Sequence, residues 1–289
     1  MKTQRFGIEI EMTGITRRNA AQVIATYFNT EFSSRNQFSP YYTREITDPQ
    51  GRIWKVMRDS SIYAEPRNDE YKVELVSPIL VYDDLEALQD IVRLLKANGA
   101  KANSTCGIHI HIDASTHTVQ SLKNLINIMA RQDDILYEAL QINPNRYNYC
   151  KKTEWDFINK VNAQFKKNAK NAPLGEMKKL WYGNQPEHLM NQHYNDTRYH
   201  GLNLHATFTK GTVEFRLFNS TLHAGKVKAY IQYCLAVSAK SKNVKYIIPE
   251  RVKTDDKKKW FYGWLDRLGL TGEEFKTCRK HMTANLKHE

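Results

Sequence analysis

The chain has 289 residues, 41% hydrophobic and 26% charged, which is enough for one large domain or two small ones around a full core. It holds 43 Lys and Arg against 31 Asp and Glu, a formal charge of +12 that favours polyanions, nucleotides or acidic surfaces. Apolar runs are too short for a bilayer span, and Cys106, Cys150, Cys234 and Cys278 form no CxxC pair, against a structural zinc site or disulfide framework.

The opening MKTQRFGIEIEM lacks the apolar stretch of a signal peptide, so a cytoplasmic location is expected. Phe6 to Thr13 alternates apolar and polar residues, the period of a strand. Ala20, Val23, Ile24, Tyr27 and Phe28 follow at helical spacing. Asp48-Pro49-Gln50-Gly51 is a turn between extended stretches at 41–43 and 53–58. A strand over 71–76 stops at Ser77-Pro78, and Leu85, Leu88, Ile91, Val92 and Leu95 make one face of a helix ending before Gly99.

Residues 107–113 read as a strand and 119–140 as a long helix. The stretch 143–195 is rich in Asn, Gln and Lys and reads as a helical insert or lid. Residues 202–208 and 212–218 read as a strand pair joined at Lys210-Gly211. A helix over 226–239 and a basic helical tail, 241–289, complete the chain. The expected fold is α+β, a catalytic domain over 1–240 on a mostly antiparallel sheet with the tail packed on it.

Three strands carry acidic or imidazole residues on one face and apolar residues on the other. Glu9 and Glu11 share a face of the first, His109, His111 and Asp113 of the second, and Glu214 and Arg216 of the third. Asp and Glu are depleted in strands, so their concentration here is informative. The plain alternative for any one strand is the wet side of a sheet. Together, the three put carboxylates and imidazoles into one concavity, where cations must neutralise them. Carboxylate-rich ligation suits Mg²⁺ or Mn²⁺, and an Arg among the ligands suits an anionic substrate such as phosphate.

FGIEIEMTG, KVELVSPIL, CGIHIHID and RYHGLNLHATFTKGTVEFRLFNSTLHAGKVKAYI, in this order, resemble the amidoligase family of the carboxylate–amine ligase superfamily, which includes glutamine synthetase and glutamate–cysteine ligase. The resemblance spans about Phe6 to Ala239 and leaves out the insert and the tail. It implies a glutamine-synthetase-like curved sheet with helices on its convex side and ATP and Mg²⁺ on the concave one. It also implies Glu9, Glu11, Glu74, His109 and Glu214 as metal ligands and His111 as a ligand or substrate contact. Arg216 would meet phosphate, and Asp59 in RDSSI would take the incoming amine's proton. Arg198 and Asn203 match positions suited to substrate carboxylate or phosphate. No G-x-x-x-x-G-K-[ST] sequence is present, so ATP would be held by metals and strand residues.

The implied reaction joins a carboxylate to an amine of a metabolite, peptide or protein through an acyl phosphate. A metal-dependent hydrolase is the competing reading, since the same donors can activate water. A nucleic-acid-binding module is the third, from the charge and from aromatics such as Trp155, Phe157, Trp181, Trp260 and Trp264 among lysines. No known binding motif supports it, and the lysine runs read as solvated faces.

Overall fold

The computed structural model describes residues 1–36 and 38–287. In chain order the elements are β1 (Phe6–Met12), α1 (Arg17–Tyr27), β2 (Phe32–Ser33), β3 (Arg44–Thr47), β4 (Ile53–Met57), β5 (Val73–Val76), α2 (Leu85–Ala97), β6 (Gly107–Asp113) and α3 (Val119–Leu140). They continue with α4 (Trp155–Gln164), α5 (Leu174–Tyr182), α6 (Glu187–Met190), β7 (Leu202–Asn203), α7 (His205–Thr209), β8 (Thr212–Asn219), α8 (Ala224–Asn243), α9 (Lys257–Arg267) and α10 (Lys276–Thr283). Among the described residues the strands form one eight-stranded antiparallel sheet, in the order β2-β3-β4-β5-β1-β6-β8-β7. The class is α+β.

Alternation along the strands decides which face meets the helices. Ile8, Ile10, Leu75, Ile108, Ile110, Ile112, Val213 and Phe215 all point one way and join a core with the apolar stripes of α1, α2, α3 and α8. Capping sets where these helices begin. Thr16 accepts from the Asn19 amide ahead of α1, and Thr118 accepts from Ser121 ahead of α3. The tail enters the same core through Phe261, Leu265, Cys278 and Met282, and the 143–195 insert enters it through Ile158, Val161, Phe165 and Met177. Several aromatics set among lysines are spent on packing: Phe157 meets Trp181 edge-on at 5.3 Å, and Trp260 stacks on Trp264 at 6.2 Å. Cys106, Cys150, Cys234 and Cys278 are buried free thiols. Among the described residues no helix is long and apolar enough to cross a membrane.

The helix expected over 226–239 extends to Ala224–Asn243, and three other departures from the expected bounds have a local reason. The strand expected over 202–208 stops at Asn203, whose Oδ1 accepts the His205 amide and starts α7 instead. The extended stretch expected at 41–43 begins at Arg44, because Tyr42 sits in the left-handed region at φ 47° and closes a turn onto Ser39. The strand expected from Tyr71 starts at Val73, since Asn68 caps a 3₁₀ turn over Asp69–Tyr71.

Candidate metal and phosphate site

Residues paired across neighbouring strands project from the same face of a sheet. The register pairs Glu11 with Glu74 of β5, Glu9 with His109 of β6, and Gly7 with His111. His111 is paired in turn with Glu214 of β8, and Asn203 of β7 with Glu214. Glu9, Glu11, Glu74, His109, His111 and Glu214 therefore stand together on the face turned away from the core helices. Between the Ile110–Phe215 and Ile108–Phe218 pairs, β6 has one residue and β8 has two. This bulge seats Arg216 beside His109. Arg146, itself in the cleft wall, braces it from the site side, donating to the carbonyls of Arg216 at 3.1 Å and Phe218 at 2.6 Å. Gly107 makes room for that brace, because a Cβ there would lie 2.2 Å from the Arg146 guanidinium.

His109 Nδ1 lies 2.9 Å from Glu9 Oε2, and His109 Nε2 lies 3.7 Å from Glu11 Oε1. Burial, then Arg216, pulls the His109 pKa down to about 4, so the ring is neutral at pH 7. Its Nδ1–H goes to Glu9, which leaves the Nε2 lone pair facing Glu11. His111 Nδ1 pairs with Thr212 Oγ1 at 2.9 Å. Its Nε2 is buried without a hydrogen-bond partner, 3.3 Å from Glu9 Oε1 and 3.9 Å from Glu214 Oε1. Glu214 accepts from Arg216 Nη1 on one oxygen and from Asn203 Nδ2, at 2.7 Å, on the other.

The carboxylates divide electrostatically. Burial works against Glu9 and Glu214 as anions, yet His111 and His109 hold Glu9 well below the usual range. Arg216, then His111, holds Glu214 at about 2. Burial, with Asp59 adding repulsion, pushes Glu11 up to about 8, and burial with Glu9, Asp59 and Glu11 pushes Glu74 well up too. Three ligand sets lie within 4.8 Å: Glu9, Glu74 and His109; Glu9, His111 and Glu214; Glu11, Asp59 and Glu74.

The trough opens into a cleft of about 940 Å³. Asp59 lies in its wall against Glu11 and Glu74, within reach of a shared cation. Arg198 lines the mouth, its guanidinium 5.4 Å from the Tyr194 ring and 5.8 Å from the Tyr199 ring. Asn203 does not line the cleft: it is buried behind Glu214, its amide and its carbonyl both engaged by the protein, so its place is to orient that carboxylate. Lys55, Arg58 and Lys210 also line the cleft, and sequence reasoning passed them over. Lys55 is on the site face of β4, paired with Val76 and two residues from Met57, which is paired with Glu74, a placement that strand register alone reveals. Lys210 had none, since its reach to within 3.8 Å of Glu9 follows from how the α7–β8 turn folds over the sheet.

Buried carboxylates and imidazoles from adjacent strands, facing a cleft edged with basic side chains, form a candidate enzyme site. Residues 2–238 match a family model described as "Putative amidoligase enzyme", and the chain belongs to that family. A search of curated proteins finds no match to this chain.

Proposed function

We propose that the protein is an ATP-dependent carboxylate–amine ligase on a glutamine-synthetase-like fold, working with Mg²⁺ or Mn²⁺. The observation that carries the reading is the convergence of Glu9, Glu11, Glu74, His109, His111 and Glu214, with the buried His111 Nε2 aimed between Glu9 and Glu214 and making no well-aligned hydrogen bond. A buried polar atom without a partner is costly, and a cation between these donors would satisfy it. Family membership over residues 2–238 supports amide-bond formation as the outcome.

Glu9, Glu11, Glu74, His109 and Glu214 would hold the ions, with His111 joining them. Bound there, Mg²⁺ would supply charge neutralisation for a phosphoryl group. The chain's own cations would act on the same charge. Arg216, with its Nε buried and unpartnered, faces the cleft and would meet the γ-phosphate, while Lys55, Arg58 and Arg198 suit the rest of a nucleotide. The substrate carboxylate oxygen attacks the γ-phosphorus, and the bond to the β-phosphate oxygen breaks with its electron pair leaving on ADP. The amine nitrogen then attacks the acyl carbon, phosphate leaves, and the amine's proton passes to Asp59, which lines the cleft. Tyr194, near the end of the 143–195 insert, lines the cleft and would help exclude water.

The test is incubation with ATP, Mg²⁺ and pooled amino acids or peptides, read by mass and by ADP release. Condensed products forming in step with ADP are expected. ATP left intact in every mixture would sink the reading, and hydrolysis of pool members without ATP would replace it with a metal-dependent hydrolase.

A further inference from the structure

A second cavity, of about 300 Å³, opens on the same face of the sheet. It meets the large cleft at Glu9, Val76 and Lys210, which line both. Its floor is Gly7, two residues before Glu9 on β1. Its wall comes from a bulge. Between the Glu9–Val76 and Phe6–Leu80 pairs, β1 has Gly7 and Ile8, while the facing segment has Ser77, Pro78 and Ile79. Ser77 Oγ accepts the Ile8 amide at 2.9 Å, which leaves Pro78 and Ile79 to stand along the cavity, Ile79 being 64% exposed. Bulges of this kind re-aim side chains beside active sites.

Gly7 is not explained by the protein itself. It lies inside a strand, where glycine weakens the sheet. Its backbone is outside the left-handed region, and a Cβ there would meet Pro78 O and Ser77 Oγ at 3.9 Å, an ordinary contact. No turn requires it and no neighbouring chain packs on it. What a side chain at this position would fill is the cavity. A strand glycine of that kind marks the close approach of a ligand.

We infer that this groove is the subsite for the carboxylate reactant, and that Gly7 and Ile79 set the size of the chain it accepts. The inference rests on the ligase reading above. Volume separates the two reactants: the smaller cavity is at the low end for ligand sites, while the large cleft has room and cations for a nucleotide. Val76, Pro78 and Ile79 give the groove an apolar side, suited to a compact, weakly polar chain. Lys210, half exposed at the partition, offers an ammonium to the carboxylate where it must meet the phosphoryl group.

The experiment uses hydroxylamine as the amine, with ATP, Mg²⁺ and a panel of monocarboxylic and α-amino acids of graded length, and reads hydroxamates by mass. Wild type should convert the compact members. Gly7→Leu should raise KM for the accepted acid about tenfold or more, with KM for ATP within about twofold, the scale on which added methylenes discriminate. Ile79→Ala, at an exposed position that folding does not depend on, should shift preference toward longer acids. Unchanged acid KM and unchanged length preference in the two variants would overturn the inference, as would a rise in KM for ATP alone. Should wild type turn over no ATP with any acid, the ligase reading fails and the groove is judged by equilibrium binding. NMR titration with the same panel then supports it if binding is seen and Gly7→Leu abolishes it, and rejects it if no acid binds.

Discussion

β1 and β6 have two faces, and both withdraw side chains from water, the site face less completely, since Gly7 and Glu9 are half-buried. On one, Ile8, Ile10, Ile108, Ile110 and Ile112 are at most 1% exposed; on the other, Glu11 and His109 are 5% exposed. Removal from water has opposite consequences on the two sides. Apolar burial stabilises by about 25 cal/mol per Å². Burial opposes ionisation of all four site carboxylates; at Glu214 and Glu9 Arg216 and the histidines outweigh it, whereas at Glu11 and Glu74 Arg146, Arg216 and Lys210 do not. One face holds the fold together; the other gathers the buried carboxylates and imidazoles of the candidate site.

The largest effect should come from breaking the core face. Ile110→Ala removes methyl groups from a fully buried site and should lower stability by about 2–5 kcal/mol in chemical denaturation. A loss well under about 1 kcal/mol would mean that the two faces are not distinguished by packing.

Next in size is a change on the site face that should hardly touch folding. Arg216→Lys keeps a charge for Glu214 but loses the planar fork. Stability and Mg²⁺ binding should stay near wild type, while ADP release under saturating ATP, with an accepted acid and amine, should fall roughly two orders of magnitude. Equal turnover would reduce Arg216 to a structural partner of Glu214.

The smallest effect sharpens the contrast through pH. The folded-state pKa of Glu11, about 8, lies above its ordinary value of 4.5, so the folded protein keeps a proton that the unfolded chain releases. Its contribution to stability is complete below pH 4.5 and is lost as pH rises through about 8. Unfolded histidine is half-protonated near 6.5, so His109 opposes the decline only up to about pH 7.5, and the decline belongs to the raised carboxylates, Glu11 and Glu74 at the site and Asp133, which burial lifts to about 7. Thermal melts without metal should therefore fall across that window, and Mg²⁺ should raise the midpoint most at its upper end, where binding displaces the fewest protons. Glu11→Gln, which can still accept the Gly107 amide, should flatten the decline, raise the metal-free midpoint by roughly a few degrees and shrink the response to Mg²⁺. A midpoint that ignores both pH and Mg²⁺ would remove the basis for a cation at this face.

Alternation in β1, β6 and β8 was legible residue by residue, because side chains on a strand change sides with a period of two whatever the strand later pairs with. That local rule was enough to say that Glu9 and Glu11, His109 and His111, and Glu214 and Arg216 would each share a face against an apolar one. The length of α3 and the turn at Asp48–Gly51 are local in the same sense. Register is not. That Glu11 would stand opposite Glu74, and His111 opposite Glu214, depends on pairing between strands far apart in the chain. The brace of Arg146 at the bulge, Asn203 behind Glu214 and Lys210 over Glu9 were decided in three dimensions as well. The same is true of the empty space above Gly7. As a sequence letter it fits the alternation as one more non-apolar position; its meaning comes from the bulge at Ser77–Ile79, which turns the missing side chain into a cavity.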